Sequence, residues 1–439
     1  MELYNMQSVD VAIPAEVQLK RNPNLPEGTS TNSVVVTPVN GSVFNDNGQI
    51  ILDLPVGKGY LNPNSFYIRY RQTCTGMAGA GGTMIGVPLY TPFVSFQMLF
   101  NSQIVENIND YNIVCTDLVN LKMTAADKVA HSQNLGIGGT GTAFSFNSVN
   151  GRLLTATPDT FSVSGPLPCL LSQSESYVPL FLLNACRIIL NIDTIANMFN
   201  TTANVPTGFS ISNFELCMDV VSFPPQVDAY YLSMVNAQGK IVLKSSSWMC
   251  SGQPLATGSS GSFNIPFSYR LASIKSVLLH LSPAVATSAT SNGKFDSLDI
   301  TSSNGSYQID IGGGVLYPPR PLSTLLNKNG IISELALSLF GNRNILSASL
   351  GLTPTTWNYT SGSAATSYSA PALFIVGVNV EKCPTSSAVL TGASTLLSPV
   401  VARIDINTAT SQAVQVRCLA NFDALISIDP MTRQVDILQ

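Results

Sequence analysis

Short runs of apolar residues, many alternating with polar ones, recur along the chain, and each is closed by Gly, Pro, Asn or Ser. Gln49–Leu54 follows the turn Asn45-Asp-Asn-Gly48. Ser65–Arg71 alternates apolar with polar positions, the period of a half-buried strand. Phe93–Phe100, Cys186–Asp193 and Ile211–Val221 continue the series. After Ser222-Phe-Pro-Pro225 the pattern restarts: Lys240–Lys244, Phe263–Arg270, Ser276–Leu281, Tyr307–Ile311, Pro371–Val380, Val401–Ile406 and Ala424–Ile428. Many short strands divided by turn signals predict β-sandwiches. Helical periodicity is confined to two places. Asp110–Lys122 carries Ile113, Val114, Leu118 and Leu121 near the 3.6-residue period, and Ser333–Phe340 ends at Gly341, where a C-cap glycine belongs.

These elements predict an all-β chain with short helical decorations. At 439 residues the chain exceeds what one core normally fills. The Pro-Pro pair at 224–225 marks a boundary, since proline cannot donate to a ladder. The expected division is an N-terminal arm over 1–42, a first sandwich over 43–223, a linker over 224–237 and a second sandwich over 238–439. The halves echo each other weakly. Cys186–Asp193 resembles Val401–Asn407, and Phe214–Val221 resembles Leu373–Val380, with the order reversed in the second half.

Composition narrows the function classes. Only 46 residues are charged (21 basic plus 25 acidic), or 10%, against about 25% in a typical soluble protein. That excludes coiled coils and highly charged disordered chains. A net charge of −4 disfavours a nucleic-acid binder with a basic surface, and the only basic cluster near the start is Lys20-Arg21. The longest apolar stretch, Ala372–Val380, is about half the ~20 residues of a membrane span. Met1-Glu-Leu-Tyr-Asn5 lacks the basic flank and apolar run of a signal peptide, which predicts synthesis in the cytosol. Eight scattered cysteines, none in C-x-x-C, read as buried free thiols in a reducing compartment. The N-x-[ST] triplets at Asn40, Asn200, Asn304 and Asn358 are expected by chance in so Asn-, Ser- and Thr-rich a chain.

Catalytic signals are sparse. There are two histidines. His280, inside Val277–Leu281, reads as a satisfied, half-buried strand residue, and His131 as an exposed loop residue. No G-x-S-x-G elbow, P-loop, C-x-x-C or H-x-x-x-H occurs. Gly136-Ile-Gly-Gly-Thr-Gly141 lacks the strand before it and helix after it that a dinucleotide site needs, so it reads as a flexible loop. Asp46, Asp53, Asp193 and Asp310 read as turn and strand-end residues. No catalytic, cofactor-binding or metal-ligating residue is therefore assigned, and no enzyme is expected. A carbohydrate-binding surface or spike protein is the competing reading, with Trp248 and Trp357 as exposed loop aromatics; a histidine-based β-sandwich hydrolase is a third.

Two tandem sandwiches in a polar, low-charge chain resemble the double jelly-roll major capsid proteins of adenovirus, tailless membrane-containing phages, polinton-like viruses and large DNA viruses. Three passages carry the resemblance: Tyr307–Leu322 with its Gly-Gly-Gly, Tyr-Pro-Pro and Pro-Leu steps, followed by Glu334 in a short helix; Asn421–Asp429 as a closing strand; and Phe214–Val221 before Pro224-Pro225. The resemblance implies two tandem jelly rolls per chain, and trimers of pseudo-hexagonal outline that tile an icosahedral shell. Implied partners are further copies, neighbouring trimers, minor capsid and penton proteins and an internal membrane. No sequence-specific nucleic-acid binding is implied, and the location is the virion. Polar loops at 74–90, 128–165, 251–262, 284–305 and 343–370 would form towers. Met1–Pro26 would be an arm tying trimers to neighbours or to a membrane, or a frayed terminus.

Overall fold

The computed structural model describes residues 27–57, 59–78, 82–138, 151–154, 158–200, 204–283, 293–302, 304–311, 313–325, 328–341, 373–382, 390–410 and 412–439. Within these, two large antiparallel sheets come from the first half and two from the second, and a small two-stranded sheet pairs Thr83–Met84 with Arg152–Leu153. In the first half, Gly208–Ser222 is the 15-residue centre of a seven-stranded sheet. It pairs with Ser30–Val36, Val43–Asn45, Tyr60–Leu61 and Tyr67–Thr75, while Asp159–Pro166 adds to Tyr67–Thr75 and Val178–Pro179 to Tyr60–Leu61. The facing four-stranded sheet runs Gln49–Asp53, Cys186–Ile192, Phe93–Phe100, Gln103–Asn109. In the second half, Val414–Ile428, also 15 residues, is paired by Ile241–Leu255, Ile274–Pro283 and Val435–Leu438, and Ile375–Asn379 extends the sheet beyond Ile274–Pro283. Its companion runs Gly261–Phe267, Val400–Ile406, Gly305–Ile311, Val315–Ser323. These are the two jelly rolls of an all-β fold.

The pattern of burial explains the pairing. In Gln49–Asp53, Ile50 and Leu52 are fully buried between more exposed neighbours. Tyr67–Thr75 likewise turns Ile68, Tyr70, Gln72 and Cys74 inward. Period-two alternation puts these side chains on one face. Ile274–Pro283 behaves differently: nine of its ten residues are buried. Its near-continuous apolar run is what a strand covered on both faces requires. One face meets its own sandwich; over the other lie the second half's helix Lys328–Phe340 and, at His280, helix α1 (Tyr111–Lys122) of the first half. A single apolar cluster runs through both halves.

Several expectations change. Residues 224–237, expected as a linker, fall in a helix over Pro225–Gln238. Proline stops a strand, but at the first helical position its missing N–H costs nothing, and Asp228 suits the first turn. Within the expected arm, Ser30–Val36 is a strand seated along Gly208–Ser222. The stretch 82–93 is almost wholly buried, so it is no tower. Residues 128–165 hold the end of a capped helix, Ala125–Ala130, and the edge strand Asp159–Pro166. Likewise 251–262 is mostly strand, to Leu255 and again from Gly261. The helix at 333–340 begins earlier, at Lys328, and Gly341 (φ +70) closes it as expected. Of the expected tower at 284–305, residues 293–301 are buried or half-buried at the junction of the halves, so they form no tower; residues 284–292, the tower at 343–370 and residues 1–26 lie outside the described residues.

The internal echo also resolves. Cys186–Ile192 and Val400–Ile406 do occupy matching places, each central in its four-stranded sheet. The true counterpart of Gly208–Ser222 is Val414–Ile428, not the stretch 373–380, so the order is the same in both halves. Strands share composition whatever their place in a sheet, and here that likeness points to the wrong partner.

Ile404, fully buried in the centre of its sheet, tests this core. Ile404→Ala is expected to cost about 2–5 kcal/mol in urea unfolding, whereas the exposed Val315→Ala is expected to change stability by less than about 0.5 kcal/mol.

Candidate functional site

The polar residues that the sequence leaves inconspicuous gather where the halves meet. Asp110, just before α1, takes a left-handed conformation (φ 49), which turns the chain from strand Gln103–Asn109 into the helix. The helix then presents Ile113 and Asp117, both buried, toward the second half, while buried Asn112 bonds within the first half to Thr91 and Asp193. His280, fully buried in strand Ile274–Pro283, sits with Nδ1 2.8 Å from Asp117 Oδ2. Its Nε2 lies 3.0 Å from the Lys294 carbonyl oxygen. A carbonyl only accepts, so Nε2 carries a hydrogen, and one further proton lies in the Nδ1–Asp117 bond. The pair thus bridges the sandwiches with both ring nitrogens engaged.

The link continues through Lys294. Its ammonium donates to Asp193 Oδ2. Asp193 also accepts from Asn112 Nδ2 at 3.3 Å, from the Thr194 N–H at 2.8 Å and from Asn197 Nδ2 at 2.8 Å. The path therefore leaves α1 at Asp117, crosses to the second half, and returns to α1 at Asn112. Beside it Phe295, 1% exposed, packs with Ile85 and Ile113 of the first half. Gly86 (φ +71) makes room for the ring: a Cβ there would stand 3.0 Å from two Phe295 ring carbons.

A second set of bridges lies along strand Ile241–Leu255. Glu106, 4% exposed, accepts from the Leu170 N–H at 3.0 and 2.9 Å and from the Ser247 hydroxyl. Ser245 Oγ donates to the Leu170 carbonyl at 2.6 Å. Burial pushes the Glu106 carboxyl up to about 7, against the lowering effect of these donors. Lys244 pairs with Glu175 at 3.2 Å, Arg417 with Asp110 at 2.9 Å, and Asn101 donates to the Arg433 carbonyl at 3.0 Å. Tyr60 of the first half reaches Asp228 of the helix between the halves at 3.2 Å.

This arrangement joins the two halves. His280 has both nitrogens engaged and no exposure, so it cannot take a substrate's proton. His131 is exposed at the end of helix Ala125–Ala130. No group of three or more His, Cys, Asp or Glu able to hold a metal exists among the described residues. A groove of about 740 Å³ on the outer face of the seven-stranded sheet has Arg69, Arg71 and Ser162 in its lining, with Arg69 tied to Glu215 at 2.5 Å. It contains no paired nucleophile and base. Of Gly136–Gly141, Gly136 and Gly138 are described; Gly136 (φ +76) ends a short helix against Val163 rather than opening a phosphate loop.

The other residues singled out in the sequence also find places. Asp53 pairs with Arg187 across two strands, and Asp310 with Arg403. Trp248 is 8% exposed inside strand Ile241–Leu255, which removes it as a stacking platform for sugars; Trp357 lies outside the described residues. Seven cysteines are buried and unbridged, and burial pushes Cys74, Cys169 and Cys418 up to about 12; Cys383 lies outside the described residues. No helix among the described residues is long and apolar enough to cross a membrane. The signal that could have found the bridges is specific. Glu106 and Asp117 are lone carboxylates inside the short, partly apolar segments 104–108 and 113–119, and a buried acid demands partners.

No protein-family model and no curated protein matches the chain. Solved structures do. The capsid of the virus PBCV-1 aligns over 96% of this chain and 99% of that one, at 11% identity and a TM-score of 0.59. The Faustovirus major capsid protein aligns over 93% and 92%, at 8% identity and 0.57. The mavirus major capsid protein aligns over 97% and 92%, at 12% identity and 0.52. The chain has the double jelly-roll fold of these viral major capsid proteins.

Removing the Phe295 ring is expected to loosen the junction first. Phe295→Ala should cost about 3–5 kcal/mol in denaturant unfolding. Asp117→Ala should cost about 3–5 kcal/mol because it strands His280. In a double-mutant cycle, adding His280→Leu to Asp117→Ala should cost less than the sum of the singles; strict additivity would contradict the bridge.

Proposed function

We propose that this protein is the major coat protein of an icosahedral virus, and that it works by packing rather than by chemistry. The observation that carries this reading is the junction of the two jelly rolls, which makes one chain a wide two-sandwich block. The fold match supports it, since it extends over nearly the whole length of several capsid proteins.

In this reading each chain consists of two domains, one on either side of the helix Pro225–Gln238. Three chains assemble about a threefold axis, so that six sandwiches give a pseudo-hexagonal outline, and the trimers tile the shell. Closed rotational symmetry is the general route for homo-oligomers. Partners are further copies, neighbouring trimers, and minor capsid and penton proteins, with an internal membrane beneath the shell as an additional contact. The protein resides in the virion and binds no nucleic-acid sequence.

Two surface properties support assembly. Large apolar side chains stand in solvent, among them Leu397 (100% exposed), Met431 (79%) and Leu325 (64%). Subunit contacts bury such groups, and interface cores are poor in charge, as this chain is.

The purified chain should run in light-scattering chromatography at three times its 46.6 kDa mass and show hexagonal outlines by electron microscopy. A monomer at high concentration and low salt would defeat the proposal.

A further inference from the structure

We propose that Glu106 is a proton-operated latch on the junction: protonated, it holds the two sandwiches together, and ionised, it loosens them. The latch belongs to the double-sandwich block itself and does not depend on whether the block builds a shell.

The geometry carries it. Glu106 sits on strand Gln103–Asn109, which leads through Asp110 into α1. Its carboxyl meets three elements at once: its own strand, the segment around Leu170, and strand Ile241–Leu255 of the second half through Ser247. The carbonyl of the same residue, Leu170, in the next peptide group, accepts from Ser245. Any shift of the carboxyl therefore moves both bridges together. Among the described residues no cation forms an ion pair with Glu106, unlike Asp110 with Arg417 or Asp193 with Lys294. An ionised Glu106 is a buried charge balanced only by two neutral donors.

The ionisable groups of the surrounding elements do not replace a counter-ion. The segment around Leu170 offers the Cys169 thiol, neutral because burial pushes it up to about 12. Strand Ile241–Leu255 offers Lys244, already paired with Glu175, and Cys250, which burial also pushes up. The start and body of α1 offer Asp110, paired with Arg417, Asp117, bonded to His280, the Tyr111 phenol and Cys115 thiol, both kept neutral by burial, and Lys122 at the exposed end of the helix. Strand Phe93–Phe100 contains no ionisable residue. Strand Ile274–Pro283 offers Lys275, paired with Asp423, and His280.

The sign follows from the direction of the shift. Glu106 moves from the usual 4.5 to about 7 in the folded chain. Between those values the folded state binds the proton that the unfolded state has lost, so the stabilisation is complete below about 4.5 and disappears as pH rises through about 7. The junction is thus expected to tighten in mild acid and loosen at neutral to mildly alkaline pH.

Hydrogen-exchange protection factors at pH 5 and pH 8 test this, because they remove the intrinsic pH dependence of exchange. Protection of α1 and of Leu170 should fall on the order of 100-fold at pH 8, while the centre of Val414–Ile428 keeps its protection. Glu106→Gln should abolish the fall. Ser247→Ala keeps the acid but removes a donor to the carboxylate, and should raise the midpoint by about one pH unit; it serves equally if the glutamine variant does not fold. A fall that is absent, equal in Glu106→Gln, or uniform over both sandwiches would overturn the latch. So would infrared spectra of the wild type at pH 5.5 that lack a protonated buried-carboxyl band.

Discussion

Everything in this molecule depends on joining two sandwiches through a boundary that is both apolar and charged. Two jelly rolls linked only by a chain would move independently, since interdomain contacts default to mobility unless large and apolar. Here the strand Ile274–Pro283 is buried on both faces, and Phe295 fills a space left by Gly86. Within that dry boundary the polar groups are paired across the halves: His280 with Asp117, Lys294 with Asp193, Glu106 with Ser247. Such pairs add little net stability over an apolar equivalent. Their contribution is register, because any other alignment of the halves would leave these groups buried without partners.

Much of the architecture is legible in the pattern of side chains. Period-two runs mark strands at Gln49–Asp53 and Tyr67–Thr75 because each has one wet face. After Pro224 the chain enters the helix Pro225–Gln238, and strands resume at Ile241, where the sequence pattern restarts. Less legible are elements whose neighbours decide their state. Ser30–Val36 is mostly exposed and becomes a strand only through seven backbone pairings to a distant segment. The stretch 82–93 is buried because other elements cover it, a tertiary fact absent from its Gly- and Pro-rich composition.

The candidate site is the least legible part. The pattern places His280 correctly on a strand, but the residue is fully buried rather than half-buried, and its partner is 163 positions away. Asp193, read as a strand-end residue, is one, and it also anchors Lys294. No local spacing encodes such a pairing; only the topology brings the residues together. The usable clue is a carboxylate standing as the one charge in a short, partly apolar segment, as Glu106 does in 104–108 and Asp117 in 113–119. The low charge of the chain gains a sharper meaning from this. Of its 25 acids, several are committed to internal bridges, so the outer surface is poorer in charge than composition alone implies.

The claim that the junction makes one rigid block can be measured directly by the distance between two spin labels, one per sandwich. Val35→Cys and Val242→Cys place them at exposed positions, while the described native thiols are buried and unreactive. In a sample diluted with unlabelled protein, electron–electron dipolar spectroscopy at pH 5 should give one narrow distance distribution. A broad distribution would mean that the sandwiches move independently and would contradict the account.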